Sequence, residues 1–166
     1  MKKETISIPS DRKNIHAIER FVEDICDYYN INNTYFGNIL VALMEAVENA
    51  IIHGNNNNPS KTVTVNFEAR ETGLSFEVID QGAGFDFSAV PDPTDIFKST
   101  GTEGTGIFLI RSLADNVNFH DNGRRIELIF LIASINQLTY LERMKHFNEY
   151  AKTSVKKEEK EKNQGS

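Results

Sequence analysis

A chain of 166 residues, 39% hydrophobic and 25% charged, has the length and composition of one soluble globular domain with a sizeable core. Its formal charge of -6 weighs against nucleic acid as the main partner, because phosphate binding needs clustered Lys and Arg. The lone Cys26 excludes an internal disulfide and suggests no metal cluster; in "FVEDICDYY" it falls at apolar helical spacing and is expected to be a buried structural thiol.

The chain opens with alternation at Thr5, Ile6, Ser7 and Ile8, a short strand stopped by Pro9. Ser10 or Asp11 can cap the next helix. Ile15, Ile18, Val22, Ile25 and Tyr29 then recur at helical spacing, predicting a helix to about Tyr29. After the break "NINNT", a second helix runs from about Thr34 to His53, with Gly54 as its expected C-terminal stop. "KTVTVNFEAR" and "GLSFEVID" alternate as two strands, with "ETG" as their hairpin turn.

From Gly82 to Gly106 the chain is rich in Gly, Pro, Thr and Asp and has little period. Long irregular segments of this kind are usually functional or disordered. A helix returns from about Gly106 to Asp115, and "NVNFHD", a turn at "NG" and "RRIELIFLI" close the pattern as a hairpin. Ile135, Leu138, Leu141, Met144 and Phe147 share a rough stripe in the tail, and the residues after about Thr153 have a disordered composition. The expected fold is α+β, a two-layer sandwich of a mixed, mostly antiparallel sheet with helices on one face. Residues 1–133 are expected to form the domain and 134–166 an extension, partly helical and then disordered. There is no apolar run of the signal-peptide kind, and no stretch is expected to be long enough to span a bilayer, so the expected location is cytoplasmic.

Three stretches carry the chemistry. In "MEAVENAIIHG", Glu45 and Asn49 stand one helical turn apart. At about 100° per residue, Leu40, Leu43, Met44, Val47, Ala50 and Ile51 fill the expected core arc. Glu45 and Asn49 point the other way, among Val41, Ala42, Ala46 and Ile52, so they sit in a second apolar surface. A carboxylate there needs a partner; a ligand site and a satisfied structural hydrogen bond are both open. "VIDQGAGF" ends a strand in Asp80 and then gives Gly82 and Gly84. An acid there can accept from an amino group, and glycines let a ligand approach the backbone; an ordinary Asp-Gly turn is the alternative. In "GTEGTGIFLIRSLAD", Gly106 opens an apolar helix whose N-terminal N–H groups can bind an anion such as phosphate, although a simple capped loop has the same pattern.

Together and in this order, the three stretches resemble the ATP-binding domain shared by gyrase-type topoisomerases, heat-shock chaperones and histidine kinases, the Bergerat or GHKL fold. "EAVEN" looks like its N box, "DQGAGF" its first glycine box and "GTGIF" its second. Over about Thr5 to Ile132 the chain is most similar to the small bacterial anti-sigma factor serine/threonine kinases, the group typified by SpoIIAB and RsbW.

The resemblance implies ATP and Mg²⁺ as cofactors. By it, Glu45 is the general base, Asn49 ligates Mg²⁺, and Asp80 accepts from the adenine amino group in a pocket shaped by Gly82 and Gly84. Gly104, Thr105 and Gly106 then bind phosphate, and Val90 to Thr105 forms an ATP lid. Arg125 stands about where the family has a threonine that helps hold the adenine-site water, a departure in the pocket's detail. His53 could contact the last helix carbonyls or the site, and Arg111 a phosphate, a protein partner or a surface acid.

The expected function is phosphorylation of a small antagonist protein combined with binding of a sigma factor. The alternative is a non-catalytic ATP-binding switch that sequesters a regulator; Glu45 favours the kinase, because nucleotide binding alone needs no base. A homodimer is expected, with no direct nucleic acid and no membrane. Phe21, Tyr28, Tyr29, Tyr35 and Phe36 supply aromatic surface that is either an interface or internal packing.

Overall fold

The computed structural model describes residues 2–84, 105–132 and 145. In chain order these form β1 (Lys3–Pro9), α1 (His16–Tyr28), α2 (Asn33–Asn49), β2 (Thr62–Arg70), β3 (Gly73–Ile79), α3 (Thr105–Leu113), β4 (Asn116–His120) and β5 (Arg125–Leu131). The expected order of strands and helices is the observed one. The strands lie side by side as β1-β2-β3-β5-β4, and all four pairings are antiparallel. The expectations for the tail and for the segment 90–104 lie outside the described residues, Lys145 apart.

Period-two patterning decides which side of the sheet is apolar. Val65 faces Val78, Phe67 faces Phe76, Phe76 faces Leu128, and Val78 faces Ile126 across the strands. These side chains are buried, and Tyr29, Phe67, Phe76 and Phe130 run through the core in ring-to-ring contact. Ile39, Leu43, Val47 and Ile51 cover them from the helical layer, each with 0% exposure. The core arc of α2 is therefore rotated slightly from the sequence expectation: Ile39 joins it, and Leu40 and Met44 are half-buried at its margin.

The helix ends have local causes. Asn32 caps α2, its side-chain oxygen accepting from Thr34 N and Tyr35 N, both at 3.1 Å. The α1 exit is a left-handed turn at Asn30 (φ 51°), with Ile31 N–H donating to Cys26 O and Asn30 N–H to Asp27 O. Asp11, rather than Ser10, caps the short 3-10 turn before α1 by accepting from Lys13 N. The "NG" hairpin signal is a left-handed run, with positive φ at Asp121, Asn122 and Gly123.

Three expectations change. The second helix is α-helical only to Asn49; Ala50–Gly54 widens into a π turn, in which Asn55 N–H reaches Ala50 O at 2.8 Å. Counted together, Asn33–Gly54 is long and apolar enough to cross a membrane by length and composition, contrary to the sequence expectation. The reason is that this helix is apolar on two sides, one of them consumed by the sheet. Finally, the aromatic set divides: Tyr29 is core, Phe21 and Phe36 pack against it, and Tyr28 and Tyr35 are exposed.

Two outcomes test this architecture. Asn32→Ala leaves two N–H groups of α2 uncapped and is expected to cost about 1 kcal/mol in denaturant unfolding. Cys26 is buried, as expected, and burial with the nearby Asp27 charge pushes its thiol up to about 11. A thiol reagent at neutral pH should label it only in the unfolded protein; stoichiometric labelling of the native chain would contradict the packing.

Candidate functional site

The site is built where α2, the π turn, the end of β3 and the start of α3 converge. A cavity of about 300 Å³ lies there, lined by Asn49, His53, Asp80, Ile107, Phe119 and Arg124 among others. Its floor is the helix-facing side of the sheet, supplied by Val78 and Ile126. Ala46 and Ala50 give the helix wall. The second apolar surface read from the sequence is thus a cavity wall at Ala46, whereas Val41 is exposed.

Glu45 and Asn49 meet the N-terminal turn of α3. A Cβ on Gly106 would sit 2.8 Å from Glu45 Oε2 and 3.3 Å from Asn49 Nδ2. The absent side chain lets α3 start this close to both polar groups; a Cβ at this position would displace the end of the Glu45 side chain. This brings together three of the sequence-picked residues, Glu45, Asn49 and Gly106, from elements about sixty positions apart in the chain. Both polar side chains are half-buried.

The second cluster surrounds Asp80. Gly82 N–H donates to Asp80 Oδ1 at 2.7 Å, and Asp80 N–H donates to Arg124 O at 3.0 Å. Gly54 packs directly on the Asp80 carboxylate: a Cβ there would lie 2.5 Å from Oδ2. The helical segment ends at Gly54, as expected, but without the positive φ of a helix-stop glycine; what the missing side chain provides there is close approach to Asp80. Gly82 in turn leaves no room for a Cβ against Gly54 O, and Gly84, at φ 87°, backs onto Asn122 O. The acid and its glycines are one packed unit. Gly104 lies outside the described residues, and Thr105 is placed only as the first residue of α3.

Two further residues were not picked out by the sequence. Asn55, in a run of four asparagines, is fully buried and hydrogen-bonded through both ends of its amide. Arg124 lines the cavity, and its charge acts on Asp80. Arg125, where the family likeness marked a departure in the pocket's detail, is not among the residues lining the cavity, whereas its neighbour Arg124 is. Arg125 is in β5, one pleat over, and pairs with Glu77 and Asp121, away from the cavity. His53 is exposed and lines the cavity, and Arg111 is exposed with its guanidinium 5.8 Å from the Phe119 ring centroid.

These donors suit a nucleotide and a magnesium ion. The largely apolar walls fit a base, with Asp80 as the acid on one side. No three His, Cys, Asp or Glu side chains cluster among the described residues to hold a metal alone. One amide beside a helix N-terminus suits a hard cation that takes its other oxygens from phosphate and water.

An open antiparallel sheet, one helical layer and an acid–amide pair at a helix start define a histidine kinase-like ATPase fold. The histidine kinase-like ATPase domain family matches residues 8–130, and the chain belongs to that family, its similarity within it running to the RsbW-like anti-sigma kinases. The serine-protein kinase RsbW of Oceanobacillus iheyensis is 29% identical over 87 residues, covering 49% of this chain and 55% of that protein. RsbW of Bacillus velezensis is 24% identical over 123 residues, 70% of this chain and 77% of its own. The match to the first spans only about half of that relative's length. The RsbU and RsbW domains of a Mycobacterium tuberculosis protein superpose with a TM-score of 0.58 at 15% identity, over 79% of this chain and 32% of that one, a likeness of fold.

Burial raises the Asp80 carboxyl above the ordinary aspartate value, by more than the Gly82 N–H, Arg124 and Lys61 lower it. A carboxyl with a raised native pKa favours the folded state in acid and loses that contribution as pH rises through the native value. Asp80→Asn keeps the shape and an acceptor for Gly82 but carries no charge. It should melt above the parent at pH 7, with the difference vanishing below about pH 4, the ordinary aspartate range. An unchanged or lower melting temperature at pH 7 would show that burying this charge costs nothing.

Proposed function

We propose that the protein is an ATP- and Mg²⁺-dependent serine/threonine protein kinase that acts as an anti-sigma factor. It phosphorylates a serine of a small antagonist protein and binds a sigma factor, as a homodimer in the cytoplasm. The observation that carries this reading is the meeting of Glu45 and Asn49 with the first turn of α3. A pure binding site needs the Asp80 pocket but has no use for a carboxylate beside the phosphate end. The names of the two RsbW relatives as serine-protein kinases support the same reading.

Each residue has a role in it. Asp80 accepts from the exocyclic amino group of adenine with the oxygen that Gly82 leaves free. Gly82 packs against the acid and Gly54, and Gly84 packs on Asn122 beside Arg124 and shapes the pocket's edge. The free N–H groups at the start of α3, with Gly104, Thr105 and Gly106, cradle phosphate oxygens. Asn49 holds Mg²⁺, which offsets the phosphate charge. Glu45, fixed on a helix, accepts the proton of the serine hydroxyl as the oxygen bonds to the γ-phosphorus and the bond to ADP breaks. The acidic balance of the chain suits partners that are proteins and not DNA.

The test is incubation with labelled ATP and candidate antagonist proteins. Glu45→Gln should bind Mg-ATP like the parent but transfer phosphate about 10²–10⁴-fold more slowly. Asn49→Ala should lose the Mg²⁺-dependent part of ATP affinity. Transfer at the parental rate by Glu45→Gln would remove the base. Tight ATP binding by the parent, with sigma-factor capture and no transfer to any antagonist, would instead establish the switch module.

A further inference from the structure

Asn55 belongs to a closed ring of hydrogen bonds behind the Asp80 pocket. Its Nδ2 donates to Thr62 O at 2.9 Å, and its Oδ1 accepts from Gln81 N at 2.8 Å. Gln81 Oε1 in turn accepts from Thr62 N at 2.8 Å. Three segments are thereby joined: the residue after the π turn, the first residue of β2 and, 19 residues further on, the turn after β3. The residues immediately beside this ring are those that shape the pocket. Gly54 precedes Asn55, and Asp80 and Gly82 flank Gln81. The contact of Gly54 with the Asp80 carboxylate and with Gly82 therefore lies directly in front of the ring.

A buried amide with both ends paired is rigid, and opening either bond leaves one end of the fully buried Asn55 amide without its partner. No helix or sheet ladder performs this connection. The π turn ends at Gly54, and β3 ends at Ile79, before Asp80. The side chain of Asn55 thus substitutes for secondary structure where the backbone of the site becomes irregular. An adjacent asparagine could not replace it, because Asn56 and Asn57 are exposed and in left-handed conformation.

We infer that Asn55 is a positioning residue for nucleotide binding, which through Thr62 and Gln81 sets the distance between Gly54 and Asp80 and so the fit of the base. The inference rests on the reading of Asp80 as the base acceptor, and it deepens that reading. It also predicts a property of the free protein: without the ring, Asp80 moves into solvent.

The experiment uses the full chain with Asn55→Ala and Gln81→Ala. Folding is checked by circular dichroism, and two quantities are read: ADP affinity in the presence of Mg²⁺ by calorimetry, and Asp80 titration by carboxyl NMR. Asn55→Ala should weaken ADP binding about tenfold or more at temperatures where it is folded. It should also bring Asp80 titration down toward the ordinary aspartate range. Gln81→Ala, at an exposed position and with one bond lost, should move both in the same direction by less. A folded Asn55→Ala with parental ADP affinity and parental Asp80 titration would overturn the inference and leave Asn55 as a stability element. Should Asn55→Ala not fold, Gln81→Ala decides: unchanged titration and affinity overturn the inference. A parent that does not bind ADP would sink the nucleotide reading, while the titration still tests the ring.

Discussion

Everything in this protein depends on how α2 is seated on the sheet. Ile39, Leu43, Val47 and Ile51, each fully buried, share one core cluster with Phe76 and Leu128 of the sheet, which fixes the rotation of the helix about its own axis. Each residue turns a helix by about 100°, so a helix free to roll would carry Glu45 and Asn49 out of register with the start of α3. The hydrophobic core is in this sense the positioning device for the polar pair. The cost is a helix apolar on both sides, with the composition of a membrane span.

Close packing sets the other half of the site. Gly54, Gly82 and Gly106 each stand where a methyl group would crowd a polar neighbour at the cavity: the Asp80 carboxylate, the Gly54 carbonyl and the Glu45 carboxylate. Contacts this short transmit small backbone shifts directly to the polar groups, because the interior yields little. The site is also unfavourable to the fold where it buries Asp80, whose carboxyl is held above its ordinary value mainly by burial. A group kept at such a cost is characteristic of binding surfaces.

The opposite face of the sheet obeys different physics. Glu127 is raised by burial but held below the ordinary glutamate value by donors from Asn118, Ser75 and Arg70. Arg70 reaches it at 2.6 Å and Ser75 at 2.9 Å. Asn66 joins Glu77 and Thr5 in the same surface. Arg125 is absorbed into this network, which is why it takes no part in the cavity on the other side. Strand alternation separates the two faces within β5, and Arg124, in helical conformation at the turn before the strand, faces the cavity while Arg125 joins the opposite face.

Much of this was legible in the sequence, because it is local. Alternation in "KTVTVNFEAR" and the apolar spacing of "ILVALMEAVENAII" determine the strands, the helix and their buried sides by the geometry of the pleat and the turn. The family likeness of "EAVEN", "DQGAGF" and "GTGIF" identified Glu45, Asn49, Asp80 and Gly106 as candidates before any of them had neighbours. The rest required the chain to come together. Nothing in "HGNNNNPS" distinguishes Asn55 from three similar asparagines; only the approach of Thr62 and Gln81 gives it partners. Gly54 matched a helix stop by position, yet its contact with Asp80 comes from a segment 26 residues away. Which of two neighbouring arginines lines the cavity depends on where the turn ends and β5 begins: Arg125 pairs with β3 and β4, and Arg124 stays in the turn. Local periodicity is set by bonded geometry and solvent, whereas which polar groups meet is set by the packing of distant elements.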